Sequence, residues 1–385
     1  MNTVPKIPFG RPWITESERE AVLDVLAGDI LAHGPNADAF GKEFEDYVGT
    51  DATAVPLSSG MAALHMAYLG LGIGVGDEVV VTAQTHVATV NAIELVGARP
   101  VFVDCEKSTG NISLSAAEAA ITERTRAIAL VHFVGIPCEM DAILRLAEHH
   151  ELRVVEDCAL AVGAKFNHQH VGLSGDAGCF SFYPAKHITT GEGGLLLTRH
   201  AELAAYVTRA RAHGVDRDYS KRVTPGMYDV TGLGLNYRMS DISAAIGRQQ
   251  LNKLPEIIRR RERNFLRLKS ILSGEPRLTI LDSQSEMCTN SHYCLVVVLG
   301  DDIVLDRNQV IIALNNSGIG TSIYYPHPLP RLQYYREKYS YNVSDFMNAA
   351  NISDRSIALP VGPHIGLSEI EFIGETLTSY LAHSE

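Results

Sequence analysis

Between residues 50 and 200, short apolar runs alternate with amphipathic segments. The runs Ala54–Ser58, Glu78–Thr82, Pro100–Asp104, Ala127–Phe133, Arg153–Asp157, Cys179–Tyr183 and Gly194–Thr198 are mostly continuous in Val, Ile, Leu or Phe. Continuous rather than alternating runs predict strands buried on both faces. Helical patterns at Met61–Leu71, His86–Val96, Ser115–Thr122 and Met140–His149 separate most of the early ones. This rhythm predicts an α/β fold with a mostly parallel, helix-flanked sheet.

The pattern changes near residue 250. A charged helical segment, Leu254–Leu272, leads to strand patterns at His292–Leu299 and Thr321–Tyr325, which flank a helix at Asp306–Ser317. A last helix follows Ser368. We read residues 1–250 as a large domain with an N-terminal segment, and 251–385 as a smaller C-terminal α+β domain. Near the start, a helix at Ser17–Leu26 precedes a Gly-rich stretch, Gly28–Pro35, placed to cross to a partner or to the small domain.

Composition narrows the class. The chain has 385 residues, 46% hydrophobic and 20% charged, enough for a sizeable core. A net charge of -12, with no long basic run, argues against nucleic acid. Arg259-Arg260-Arg261 lies in a helical pattern before Glu262 and reads as a solvated face. No run approaches the roughly 18 apolar residues of a membrane span, and Met1–Arg11 has no signal-like core. Cys105, Cys138, Cys158, Cys179, Cys288 and Cys294 form no C-x-x-C pair and read as reduced thiols of a cytoplasmic protein.

The chemistry centres on Lys186, in Phe180-Ser181-Phe182-Tyr183-Pro184-Ala185-Lys186-His187-Ile188-Thr189-Thr190-Gly191-Glu192-Gly193-Gly194. A lysine with apolar residues before it and small ones after is partly desolvated, which makes its amine a usable nucleophile. That setting suits a Schiff base with pyridoxal 5'-phosphate (PLP). PLP also needs a phosphate cradle, a carboxylate for the ring nitrogen and a flat side chain over the ring. Ser58-Ser59-Gly60-Met61 closes a strand and opens a helix, where free N–H groups favour an anion; an ordinary strand-to-helix turn looks the same. Asp157 ends an apolar strand at the edge where open α/β sheets bind ligands, although Asp is also a common helix cap. Glu156 would point to the opposite face. His86 follows another strand end and offers a planar ring, or a helix cap. Ser181 offers a hydroxyl to the phosphate.

Asn236-Tyr237-Arg238, bounded by apolar residues, reads as a loop at the site edge. Arg238 and Arg211 suit a diphosphate or a carboxylate, although Arg211 is equally a surface or structural arginine. Tyr183, His187, Tyr325 and His327 complete the candidate substrate contacts; His327 is equally a turn residue between two prolines. His168-Gln169-His170 lacks a third ligand for zinc, so no metal is assigned.

In this order and spacing, the Ser59-Gly60, Glu156-Asp157, lysine-turn, Gly191–Gly194 and Asn236–Ser240 segments resemble the PLP-dependent sugar aminotransferases of the DegT/StrS type. So, more loosely, do Ile7–Gly10, Gly34-Pro35, Tyr325-Pro326-His327 and Leu359-Pro360. These enzymes have the fold of the aspartate aminotransferase group, fold type I. The resemblance covers nearly the whole chain. It implies that Lys186 carries the cofactor and moves the substrate proton, and that Asp157 pairs with the ring nitrogen. It implies that Gly60, Met61 and Ser181 hold the phosphate. Asn236 would reach the neighbouring subunit's cofactor, giving a homodimer with shared sites. L-glutamate would be the donor. The acceptor would be a keto-sugar, nucleotide-linked or from lipopolysaccharide, such as an oxidised octulosonate.

Three residues depart from the family pattern: Met61 stands for a common Thr, Leu160 for a common Gln, and His86 for a common aromatic ring. A related branch, the sugar 3-dehydratases, has His at the lysine position; this chain keeps Lys186. The alternative functions are a PLP-dependent sugar dehydratase on the same scaffold, or a non-catalytic regulator that binds PLP or a sugar nucleotide.

Overall fold

The computed structural model describes residues 7–32, 34–49, 51–216, 224, 226–342 and 344–382. Residues 1–6 of the opening segment and His33 of the Gly-rich stretch lie outside them.

The large sheet contains β1 (Thr53–Leu57), β2 (Glu78–Thr82), β3 (Arg99–Val103), β4 (Thr125–Val131) and β5 (Arg153–Asp157). A small hairpin follows, of β6 (Lys165–Phe166) and β7 (Gln169–His170), before β8 (Ala177–Ser181) and β9 (Gly194–Thr198) complete the sheet. The order is β1-β9-β8-β5-β4-β2-β3. The pairs among β3, β2, β4, β5 and β8 are parallel, and β9 runs antiparallel to both β8 and β1. Parallel neighbours need long crossovers, most of them helical here, whereas β8 and β9 are joined directly by the lysine turn. Residues of β2 and β9 are buried throughout, as their continuous apolar runs require. The seven expected strands of this sheet all occur, with ends displaced by at most about two residues.

One consequence positions the site. Strands β1, β2, β4, β5 and β8 all finish on the same edge. That edge therefore gathers Ser58–Gly60, His86, His132, Asp157 and Ser181, the arrangement in which open α/β sheets hold ligands.

The C-terminal part has its own antiparallel sheet of β10 (Leu278–Ile280), β12 (Leu295–Leu299) and β13 (Ser356–Leu359), in the order β10-β12-β13. The two-residue strand β11 (Cys288–Thr289) instead joins the β6–β7 hairpin. Helices Arg307–Asn316 and Leu367–Ala382 pack on a core that includes Val297, Val310, Leu359 and Ile373. A continuous helix, Asp241–Leu272, connects the two parts, so the expected boundary at residue 250 falls inside one element.

Two expectations need correction, and one helix has no counterpart in the sequence reading. Thr321–Tyr325 is not a strand; only Ser322 pairs, with Ala358 of β13. Its aromatic side chains are drawn elsewhere: Tyr324 packs on Phe9 and Tyr293, and Tyr325 on His86 and Phe133. Pro35–Val48, after the Gly-rich stretch, is a helix. Its Phe40 and Phe44 pack edge-on against Phe180 and Phe182 beside the lysine turn. Finally, Arg259 and Arg260 do form an exposed-side pairing, on Glu256, but Arg261 is 6% exposed and donates to the Tyr293 carbonyl. The six cysteines are unpaired, five of them buried. No helix among the described residues is long and apolar enough to cross a membrane.

Candidate active site

The turn that carries Lys186 is built from its neighbours. Phe180 and Phe182 are fully buried and anchor the end of β8. The Lys186 N–H donates to the Tyr183 carbonyl at 2.8 Å, which closes a tight turn around Pro184 and Ala185. Thr189 and Thr190 then tie the chain back to the Phe182 carbonyl, through a hydroxyl at 3.0 Å and an N–H at 3.0 Å. These three hydrogen bonds hold the backbone on both sides of Lys186.

The electrostatics make this amine unusual. Burial pushes the Lys186 ammonium down to about 8, with the Asp157 charge pulling the other way. Its Nζ lies 5.8 Å from the centre of the Tyr293 ring. Near pH 7 about one such amine in ten is neutral, against about one in three thousand for an ordinary lysine. A partly neutral, enclosed amine is what carbonyl addition requires.

Asp157 is 4% exposed. Its Oδ2 accepts from the Thr89 hydroxyl at 2.7 Å, and its Oδ1 from the Ala159 N–H at 3.0 Å. Thr85 Oγ1 lies 2.8 Å from Thr89 Oγ1. Neither threonine was singled out in the sequence, because nothing local in Thr85-His86-Val87-Ala88-Thr89 announces a partner 68 positions away.

His86 caps helix Val87–Leu95, its Nδ1 accepting the Ala88 N–H at 3.2 Å. Burial pushes its imidazolium down, with Asp157 pulling it up and Lys186 pushing it further down. All three groups therefore share one electrostatic neighbourhood. Tyr325 closes the far side, its ring 5.6 Å from that of His86.

The anion cradle forms where β1 meets helix Gly60–Gly70. Ser59 Oγ accepts the Ala62 N–H at 3.0 Å. The N–H groups of Gly60 and Met61 have no acceptor among the described residues, as expected of a helix's first turn. A Cβ on Gly60 would come within 2.8 Å of the Ser181 Cβ, so only glycine lets β8 approach the helix start this closely. The approach places the Ser181 side chain beside those N–H groups. A phosphate fits this set: backbone donors at a positive helix end and one hydroxyl. With Lys186 and Asp157 at the same edge, the residues present fit PLP.

The Asn236–Ser240 segment lies along the same edge. Ser58 N–H donates to the Tyr237 carbonyl at 2.8 Å, Arg238 bridges Leu57, and the Tyr237 hydroxyl meets His65 Nδ1 at 3.1 Å. Asn236 is exposed. Arg211 donates to the Pro56 carbonyl. Tyr183 is half exposed at the lip of the lysine turn. Two candidates sit differently. His187 is 4% exposed and donates from Nε2 to the Ser291 carbonyl at 3.0 Å. His327 lines a cleft in the C-terminal part of the chain with Arg331, Arg336, Tyr341 and Asp354.

The model of the DegT/DnrJ/EryC1/StrS aminotransferase family matches residues 12–378. The spore coat polysaccharide biosynthesis protein SpsC of Bacillus subtilis is 35% identical over 375 residues, 96% of each chain. Among solved structures, Spr1654 of Streptococcus pneumoniae in its PMP form superposes with a TM-score of 0.93 at 28% identity, covering 98% of this chain and 100% of that one. Its PLP form superposes with a TM-score of 0.92. PseC of Helicobacter pylori, an aminotransferase involved in pseudoaminic acid biosynthesis, gives 0.92 at 26% identity, covering 98% and 100%. The chain belongs to the DegT/DnrJ/EryC1/StrS aminotransferase family and is a PLP-dependent sugar aminotransferase.

Proposed function

We propose that the protein moves an amino group from L-glutamate to a keto-sugar, working as a homodimer in the cytoplasm. The observation that carries this reading is the Lys186 amine, enclosed, shifted to about 8 and within the electrostatic reach of Asp157. When bound, the cofactor supplies an electron-withdrawing ring that no side chain offers. The other work falls to the chain. Gly60, Met61 and Ser181 hold the phosphate, and Asp157 holds the ring nitrogen by charge pairing. His86 covers a ring face. Lys186 Nζ takes a proton from the amino-acid carbon and returns it one position away. Holding that base beside both positions typically contributes roughly 10²–10⁴-fold.

For the acceptor, the reading is a nucleotide-linked keto-sugar or a lipopolysaccharide sugar such as an oxidised octulosonate. SpsC and PseC are both named for sugar or polysaccharide biosynthesis. Arg336, in the cleft beside His327, adds a guanidinium suited to a diphosphate or carboxylate, while Arg331 there is paired with Asp354 at 2.8 Å. Arg238, the half-exposed Tyr183 and the partly buried Tyr325 border the mouth, and Asn236, which is exposed, would reach the neighbouring subunit's phosphate.

The test is a visible spectrum of the PLP-loaded protein before and after L-glutamate. The lysine-bound band should give way to that of the amine form, with one equivalent of 2-oxoglutarate released. A band that ignores glutamate would exclude it as donor. Consumption of keto-sugar with no amino-sugar formed would replace transamination by dehydration.

A further inference from the structure

Two buried hydroxyls stand behind Asp157. Thr85 and Thr89 are 1% and 0% exposed and flank His86 at the start of helix Val87–Leu95. The direction of their chain is fixed by donor counting. A carboxylate oxygen only accepts, so the single Thr89 proton goes to Asp157 Oδ2. The 2.8 Å contact between the threonines must then run from Thr85 to Thr89. A threonine early in a helix often turns its hydroxyl onto a nearby backbone carbonyl. Thr89 instead spends its proton on a residue of another strand. One helix thus sets two elements of the site: its cap is His86, and its first turn grips Asp157.

We propose that Thr89, backed by Thr85, is a positioning residue that orients the Asp157 carboxylate and keeps it anionic toward the cofactor's ring nitrogen. This rests on the role given to Asp157 above. A hydrogen bond donated to a carboxylate favours its charged form. Where a carboxylate shares a proton with a ring nitrogen, that bond tips the pair toward pyridinium and carboxylate, and away from pyridine and carboxylic acid. The pyridinium ring withdraws more electron density, so the hydroxyl acts on reactivity without touching substrate.

The experiment loads the protein with PLP labelled with ¹⁵N in the ring and reads the nitrogen chemical shift, alongside a single turnover with L-glutamate. In the wild type the nitrogen should be protonated. Thr89→Val should move its shift toward unprotonated pyridine and slow the glutamate step about 10- to 100-fold, the range expected for losing a hydrogen bond to a charged group. Thr89→Ser should restore both readings. Thr85→Val should move the shift in the same direction by less. A merely structural Thr89 would leave the shift of bound cofactor unchanged on substitution by Val, and that result overturns the proposal. An unprotonated nitrogen already in the wild type would remove the role of Asp157 first, and the proposal with it. If Thr89→Val fails to retain PLP, Thr85→Val decides: a shifted nitrogen supports the proposal and a wild-type shift overturns it.

Discussion

The two faces of β5 carry neighbouring carboxylates with opposite fates. Glu156 and Asp157 are 0% and 4% exposed, yet alternation along the strand sends them to different sides of the sheet. Glu156 accepts N–H groups from Gly172, Ser174 and Gly175 at 2.6–2.9 Å. It also accepts from His132 Nε2 at 2.9 Å. Four donors fill the acceptor capacity of a carboxylate. Asp157 accepts from two, Thr89 and Ala159, among the described residues. The saturated carboxylate holds a loop; the unsaturated one keeps acceptor capacity at the ligand-binding edge. Burial alone does not separate the two, and neither does sequence position. The count of donors does.

Lys186→Ala tests the open side hardest. Turnover should fall by about 10³-fold or more, since both the covalent anchor and the proton carrier are lost. A variant that still cycles with glutamate near the wild-type rate would break the assignment. Next comes the paired exchange of the two acids. Asp157→Asn should cost about 100-fold in the glutamate half-reaction and little stability. Glu156→Gln should do the reverse, costing roughly 3 kcal/mol because a carboxamide turns N–H groups toward the loop's own donors. Turnover of its folded fraction should stay within about twofold. Burial alone would raise the Glu156 carboxyl, but His132 and the N–H groups of Gly175 and Gly172 outweigh it and hold it below the ordinary 4.5. Its stabilisation is therefore present above that pH and lost as pH falls below it, so the acid limb of a thermal-denaturation profile should flatten in Glu156→Gln.

A smaller effect reports on the open side through pH. The rate at which cofactor-free protein captures PLP should rise about tenfold per unit up to about pH 8 and level off above it, because only the neutral Lys186 amine adds to the aldehyde. A rise that continues to pH 10 in a stopped-flow series would mean an ordinary, solvated lysine.

Much of this was legible in the chain, for identifiable reasons. Continuous Val- and Leu-rich runs gave the large sheet, because a strand buried on both faces leaves no room for other patterns. The lysine turn stood out because its flanks are chemically unlike an exposed loop. Helix Pro35–Val48 was missed behind a Gly-rich lead, although Pro at its first position is a helix-start signal. Tyr324 and Tyr325 read as strand because aromatic residues favour strands, but contacts from three other segments override that preference. Arg261 read as solvated because charge runs usually are; its partner, the Tyr293 carbonyl, lies 32 positions on. Thr85 and Thr89 were invisible for the same reason. A hydroxyl's importance depends on what the fold places opposite it.

The least effect of all is expected from metal removal, and it sharpens the contrast between the faces. His132, Glu156 and Cys158 bring ligand-type atoms within 4.8 Å of one another, all buried, a grouping that resembles a metal site. Their lone pairs are already committed. His132 Nδ1 accepts the Cys138 N–H at 3.1 Å, so its proton sits on Nε2 and points at Glu156. Glu156 is filled by four donors. Burial and the nearby acids push the Cys158 thiol far up, away from the thiolate a metal would need. A bound ion would have to break several buried hydrogen bonds before making its own. Dialysis against EDTA should therefore leave the melting temperature of the PLP-loaded protein unchanged within about 1 °C, and elemental analysis should find no stoichiometric metal. A large destabilisation reversed by zinc would show that the Glu156 face holds an ion after all, and that donor counting misjudges which carboxylate is closed.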